Sequence, residues 1–349
     1  MGLKTSALKW VESYLQNRQQ SVKFGKILSD MMMVKSGVPQ GSILGPLLFI
    51  TCTNDIVEAL ADFDIFTYAD DMQVLTHGTN KNDLQNKLEI AIERANIYYT
   101  KNSLCCNPAK SEVMIMGTEK RLKKIKNFEV QVTEGNKKKI LKGQKSLKIL
   151  GVHVDQALNW SKHTSTIKQR ATFKIRNLHR INSCIPLKYR RILYNSFVAP
   201  HFSYADIIWN SCGASNKNKL QRCQNFAARS MIGTSKYSSA TQAIKKLQLL
   251  PLEQKREINI AVHVKKSLNE RTPITIQNLY KNQASLMNNR STENATLNYP
   301  KHNLHQYQQS PFYSSIKIWN SLTTDQRLFD MKNYKKELQR SITEQHLFI

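Results

Sequence analysis

The feature that most constrains this chain lies at positions 63–76, where two short apolar runs flank a pair of adjacent acids. Asp64 to Thr67 and Met72 to Thr76 surround Tyr68-Ala69-Asp70-Asp71, and short strands on either side of such a turn predict a β-hairpin. Phe63, Ile65, Phe66, Val74 and Leu75 give the strands apolar surface to bury. The two acids therefore sit at the tip of a half-buried hairpin, where a polar surface hairpin needs no such flanks. Adjacent carboxylates repel one another, and a bound cation relieves the repulsion. Mg²⁺ takes hard oxygen ligands and is held by one or two carboxylates plus substrate phosphates. Two such ions stabilise the attacking and leaving oxygens of an in-line displacement. The competing reading is a plain surface turn, because Asp favours turns.

Upstream, residues 36–42 read Ser-Gly-Val-Pro-Gln-Gly-Ser, followed by an apolar run to Phe49. Gly37 and Gly41 permit backbone conformations closed to other residues. Pro39 stiffens the loop, and Gln40 offers both donor and acceptor. Ser42 is placed to cap a helix running to about Ala61, with Pro46 tolerated in its first turn. Before the loop, Leu3 to Leu15 has an amphipathic helical pattern, and Ser21 to Phe24 and Ile27 to Val34 predict strands around Gly25-Lys26. After the hairpin, Leu84, Leu88, Ala91 and Ala95 mark a helix. Further strands are expected at Glu112 to Met116 and Leu147 to Val154. The connection between them, Glu119 to Lys148, has eleven Lys/Arg against three Glu and is expected to be an exposed hairpin.

Charge narrows the partner. Lys plus Arg total 52 against 25 acids, a net charge of +27, an excess that opposes compaction unless it serves an anionic partner. Nucleic acid is the first candidate, since each neutralised phosphate releases counterions. The longest apolar stretch, near Pro46 to Ile50, is far short of the ~20 residues of a spanning helix. No membrane partner is expected, and an intracellular location, nucleus or cytoplasm, follows by default. Six cysteines without a CxxC pair read as reduced thiols. From Trp160 the pattern is helical, with Ile167, Ala171, Ile175 and Leu178 on one face. Residues 156–252 contain sixteen Lys/Arg and one acid, Asp206; a merely solvated surface mixes its signs. An Asn/Gln/Ser-rich stretch at 270–310 reads as linker. The apolar patch Phe312 to Leu322 and a helix near Asn333 to Thr343 close the chain.

At this point the chain resembles reverse transcriptases, specifically those of non-LTR (LINE-like, jockey-like) retrotransposons. Phe66 to Asp71 is similar to the family's Y-x-D-D metal-binding turn, and Ser36 to Ser42 to its P-Q-G motif, in the family's order and spacing. Leu104 to Glu112 resembles the next palm motif, its Lys110 matching a lysine near the triphosphate. Leu147 to Trp160 resembles the segment leading into the thumb. Tyr204 to Trp209, Asn218 to Arg229 and Phe312 to Leu322 resemble later segments of such polyproteins. The family's first palm strand carries another metal-binding Asp upstream of a helix like Leu3 to Leu15. The chain is therefore expected to begin beyond that Asp, as an N-terminally truncated fragment.

The resemblance implies an α+β fold: a partial reverse-transcriptase palm, its antiparallel sheet packed with helices and the Asp-Asp hairpin central, followed by an α-helical thumb and C-terminal region. The expected divisions are palm at 1–155, basic thumb and post-thumb at 156–270, and linker with a small C-terminal segment at 271–349. The implied parent activity is RNA-templated DNA synthesis with two Mg²⁺ ions, an RNA template, a DNA primer and deoxynucleotide triphosphates. Asp70 and Asp71 are the expected catalytic metal ligands. Gly37, Pro39, Gln40, Gly41, Ser42, Tyr68 and Lys110 are expected to position template and nucleotide. Lys162, Arg170, Lys174, Arg176 and Arg180 are candidates for phosphate contact. Lacking the first palm Asp, the chain alone is expected to be inactive. The alternative is a non-catalytic, basic nucleic-acid-binding remnant.

Overall fold

A computed structural model describes residues 4–134, 137–284, 296–302 and 305–347. The chain divides into two compact units, one of residues 1–113 with 125–143, the other of 114–124 with 144–349.

The first unit opens with α1 (Thr5–Leu15), none of whose residues is buried. Its apolar stripe, expected to pack, leaves Trp10 57% exposed. Strand pairs follow: β1 (Gln19–Gln20) with β4 (Met32–Met33), and β2 (Lys23–Phe24) with β3 (Ile27–Leu28) around Gly25. The expected hairpin thus forms in two short pieces. Between them, Ser29 N–H donates to Val22 O (2.9 Å) and Val22 N–H to Ser29 Oγ (2.9 Å). The helix expected from 42 to 61 is broken into α2 (Leu44–Thr53) and α3 (Ile56–Ala59). The break falls at Asn54-Asp55, where Asp55 bonds sideways to the Tyr98 hydroxyl.

The Asp-Asp hairpin, β5 (Asp64–Tyr68) with β6 (Asp71–Leu75), precedes α4 (Lys81–Lys101). Asn80 caps α4 by accepting from Asp83 N–H at 2.9 Å. Ala91, Ala95 and Tyr98 of α4 and Ile56 and Leu60 form the core onto which Phe63, Ile65, Met72 and Val74 pack. The last hairpin, β7 (Glu129–Glu134) with β8 (Lys137–Lys142), also packs on α4. It was expected to be exposed, but Val130, Val132 and Leu141 are buried. Alternation lets a Lys-rich strand put its apolar residues inward.

Among the described residues every ladder is two-stranded. The Asp-Asp hairpin is therefore not the centre of a wider sheet, which corrects the expected palm layer. The expected strand at 112–116 makes one parallel bridge, Val113 to Gly143. Val113 and Ile115 are buried, so the period-2 signal there reported burial and not pairing.

The second unit contains α5 (Glu119–Leu122) and a hairpin of β9 (Ser146–Ile149) and β10 (Val152–Asp155). Leu150 and Gly151, both at positive φ, make its two-residue turn. Helices α6 (Ser161–Ile181), α7 (Leu187–Phe197), α8 (Ala199–Ser203), α9 (Asp206–Trp209), α10 (Ala214–Ile232) and α11 (Ala240–Lys246) pack around Ile167, Ile175, Phe202, Trp209 and Leu220. α12 (Leu252–Leu268) runs from this core into a second one, made with α13 (Ile274–Ala284), α14 (Pro311–Ser321), α15 (Thr324–Leu328) and α16 (Tyr334–Leu347). Helix α13 lies where a linker was expected. Its Tyr280 is buried with Ile316 and Trp319 and bonds Ser315 Oγ at 2.8 Å, so its Asn/Gln-rich composition hid an anchored helix. Part of that stretch, 285–295, lies outside the described residues.

Candidate metal-binding hairpin and basic helical face

The hairpin turn is Ala69-Asp70, with Tyr68 opposite Asp71. Of the two central residues Ala69 alone has positive φ, +52°, the φ pattern of a type II′ turn, whose first position ordinarily holds glycine. Ile65, Met72 and Val74 anchor the strands from below, and the Tyr99 hydroxyl reaches Met72 Sδ at 3.5 Å. Asp70, Asp71 and Tyr68 are exposed at the tip, and no ion pair among the described residues uses either acid. Two unpaired hard-oxygen donors on a fixed mount suit a divalent cation that takes its other ligands from water and phosphate. Among the described residues no cluster of three or more acids, histidines or cysteines has metal-site spacing.

The glycine loop is held by its own bonds. Gly37 and Gly41 have φ of +82° and +79° with open space around them, so conformation, not crowding, requires glycine there. The Ser42 hydroxyl donates to Pro39 O (2.8 Å) and accepts from Gly45 N–H (2.9 Å). Gly45 is needed for space, since a Cβ there would meet Ser42 Oγ at 2.9 Å and Pro39 O at 3.0 Å. Arg18 ties the loop to α1, donating to Leu15 O (2.9 Å) and Gly37 O (2.5 Å). Neither Gly45 nor Arg18 was singled out from sequence. Gln40 is exposed, and no hydrogen bond among the described residues joins this loop to the Asp-Asp tip. Lys110 is also exposed, on a turn in which its N–H donates to Asn107 O (3.0 Å).

In the second unit, α6 buries His163, Thr164, Ile167, Ala171 and Ile175 and exposes Lys162, Arg170, Lys174, Arg176 and Arg180. Lys162 donates to Ser146 Oγ at 2.8 Å. The turn before the helix is held by Asp155, whose carboxylate accepts from Asn159 N–H (2.9 Å) and Trp160 N–H (2.7 Å). That acid therefore holds the turn that enters the helix, while the N-cap residue Trp160 makes no side-chain cap bond. The exposed cations fall on two flanks. Arg170 borders a cavity of about 290 Å³ lined also by Gly151, His163, His201 and Tyr204. Arg176 borders a groove of about 590 Å³ shared with α10.

On the first flank, burial and the neighbouring cations both act on the histidines. Burial, then His153 and Arg170, pull the His163 pKa down to about 4. Burial together with Arg170 and Lys174 lowers that of His201. Asp206, the one acid of 156–252, is 4% exposed and accepts from Asn259 Nδ2 at 2.7 Å. Burial raises its pKa against the opposing pull of Asn259 and Arg256. No acid of that stretch therefore reaches the surface.

Residues 1–154 match the family described as reverse transcriptase (RNA-dependent DNA polymerase). The matched curated relatives are RNA-directed DNA polymerases of transposable elements. The chain is 27% identical to a probable RNA-directed DNA polymerase from transposon X-element of Drosophila melanogaster, over 68% of this chain and 26% of the relative. It is 28% identical to the corresponding protein from transposon BS of the same species, over 70% and 27%. It is 24% identical to the RNA-directed DNA polymerase from mobile element jockey of Drosophila funebris, over 67% and 26%. The chain thus spans about a quarter of the length of these relatives. No solved structure matches it, and no described helix is long and apolar enough to cross a membrane.

Proposed function

We propose that this chain carries the metal-binding hairpin and the basic nucleic-acid face of an RNA-directed DNA polymerase. The parent activity is the addition of deoxynucleotides to a DNA primer on an RNA template. The observation that carries this reading is the hairpin tip, two exposed and unpaired carboxylates held by strands anchored in a core. Asp70 and Asp71 are assigned as divalent-cation ligands, with Mg²⁺ the fitting ion. Bound there, the cation neutralises charge on the phosphates of the transferred nucleotide. The chain's own groups supply the rest. The loop from Gly37 to Ser42, with Tyr68, offers template and nucleotide a rigid floor, and Lys110 an exposed charge for the triphosphate. Arg170, Lys174, Arg176 and Arg180 hold backbone phosphates.

The isolated chain binds without extending. A two-metal site needs more ligands than two adjacent carboxylates, and no third acid clusters with them among the described residues. Primer extension on poly(rA)·oligo(dT) with Mg²⁺ and labelled dTTP tests this. Incorporation at background level is expected, and robust synthesis abolished by Asp70→Asn would overturn the inactivity. Cation binding is read separately from the paramagnetic signal of titrated Mn²⁺. One weak site lost in Asp70→Asn/Asp71→Asn is expected, and no difference from the parent chain would remove the metal assignment. The alternative, a purely binding remnant, draws on the acid-free surface of 156–252 and is favoured if nucleic acid binds while Mn²⁺ does not.

A further inference from the structure

Resting on the nucleic-acid reading just given, the groove between α6 and α10 specifies how one strand is held. Its walls are Ser165, Lys168, Gln169, Thr172, Phe173 and Arg176 of α6 and Lys219 of α10, around about 590 Å³. No lining residue is acidic. Phe173 is 61% exposed, although the same helix buries Ile167, Ala171 and Ile175. A large ring kept in water beside cations suits an occupant that presents an apolar face together with negative charge. Thr172 is already engaged with Cys223 Sγ at 3.4 Å and Lys219 with Asn216 Oδ1 at 3.2 Å. Both fix the wall without consuming its charge.

We propose that this groove binds a single-stranded polynucleotide, one base stacking on Phe173 while Lys168, Arg176 and Lys219 meet the flanking phosphates. Every base has a π-face, so an aromatic platform in a basic groove holds single strands with little sequence preference. A duplex offers the same phosphates but keeps its base faces stacked inside, and an acidic peptide offers charge without a ring. Neither uses Phe173. The site lies on the flank of α6 away from Arg170 and its cavity. Lys168 and Lys219 were not among the residues expected from sequence.

The test uses the full chain and fluorescence anisotropy with labelled (rU)12, labelled (dT)12 and a 12-base-pair duplex, with poly-glutamate as competitor. Phe173→Ala is expected to weaken both single strands by roughly 5- to 150-fold, the loss of one stacked base, and to leave duplex binding within twofold. Phe173→Trp restores the affinity. Phe173→Leu, which keeps apolar bulk and guards against misfolding, weakens binding like Ala. Lys168→Gln/Lys219→Gln lowers the slope of log affinity against log salt by about 1.4, about 0.7 per phosphate contact. Unchanged single-strand affinity in folded Phe173→Ala overturns the proposal. So does equal weakening of the duplex, or competition by poly-glutamate as strong as that by oligonucleotide of equal charge. If nucleic acid binds regardless of residue 173, this groove alone is refuted. If none binds, the broader reading falls with it.

Discussion

Replacing Ala69 by glycine should tighten the hairpin that carries Asp70 and Asp71. Ala69 sits at φ +52° at the first central position of the turn. A left-handed conformation costs an L-residue about 1–2 kcal/mol relative to its preferred region, and glycine escapes that cost. Against the gain stands the larger entropy glycine brings to the unfolded chain, about 0.4–1 kcal/mol. The difference leaves a net stabilisation of about 0.7 kcal/mol, roughly a threefold shift in the local opening equilibrium. The two units need not unfold together, so a global melt is the wrong assay. Amide hydrogen exchange by mass spectrometry on a peptide spanning 64–75 isolates the hairpin. Ala69→Gly should exchange about threefold more slowly. Ala69→Val should exchange faster than the parent chain, because a β-branched residue tolerates positive φ poorly. Faster exchange in the glycine variant would refute the turn geometry, and with it the rigid mount assigned to the two carboxylates.

Gly45→Ala should loosen the loop at 38–45 by about 1 kcal/mol despite the better helix propensity of alanine, because its Cβ meets the backbone oxygen of Pro39; hydrogen exchange across 38–53 reads it. Trp319→Ala, removing a side chain 1% exposed, should cost the second unit about 3–5 kcal/mol, measured by urea denaturation of its helical signal. His163 has a folded pKa near 4, below its value of about 6.5 in the unfolded chain. The unfolded state therefore binds the proton first, and stability falls as pH drops from 6.5 toward 4. At pH 5 the loss from this group is about 1–2 kcal/mol. A melting temperature flat between pH 7 and 5, or one equally pH-dependent in His163→Gln, would contradict that linkage.

The elements legible in the sequence are those whose signal is local. The Asp-Asp hairpin, helix α4 and the helix from Ser161 form where alternation or 3.6-residue periodicity placed them. Composition misleads where a segment's periodicity is weak. Asn and Gln around Tyr280 hid α13, and lysines around Val130 and Leu141 hid the buried face of a hairpin. The break at Asn54-Asp55 depends on Tyr98, forty-three residues away, and no local pattern announces it. The candidate phosphate contacts form one set by composition, yet α6 places Arg170 and Arg176 on different flanks, and Lys162 also bonds Ser146.

The sequence by itself determined the paired acids at the tip of a hairpin and the one-sided charge of residues 156–252. Both rest on turn chemistry and composition within a few residues of each other. Tertiary structure alone decided that Asp206 is withdrawn from the surface beside Asn259, that Phe173 stays in water, and that Lys219 comes from another helix to face Lys168. Burial is a property of which elements meet, and those meetings join residues some fifty positions apart in the chain. Local patterning chooses each element's inner face, but it does not say what that face, or the opposite one, will touch.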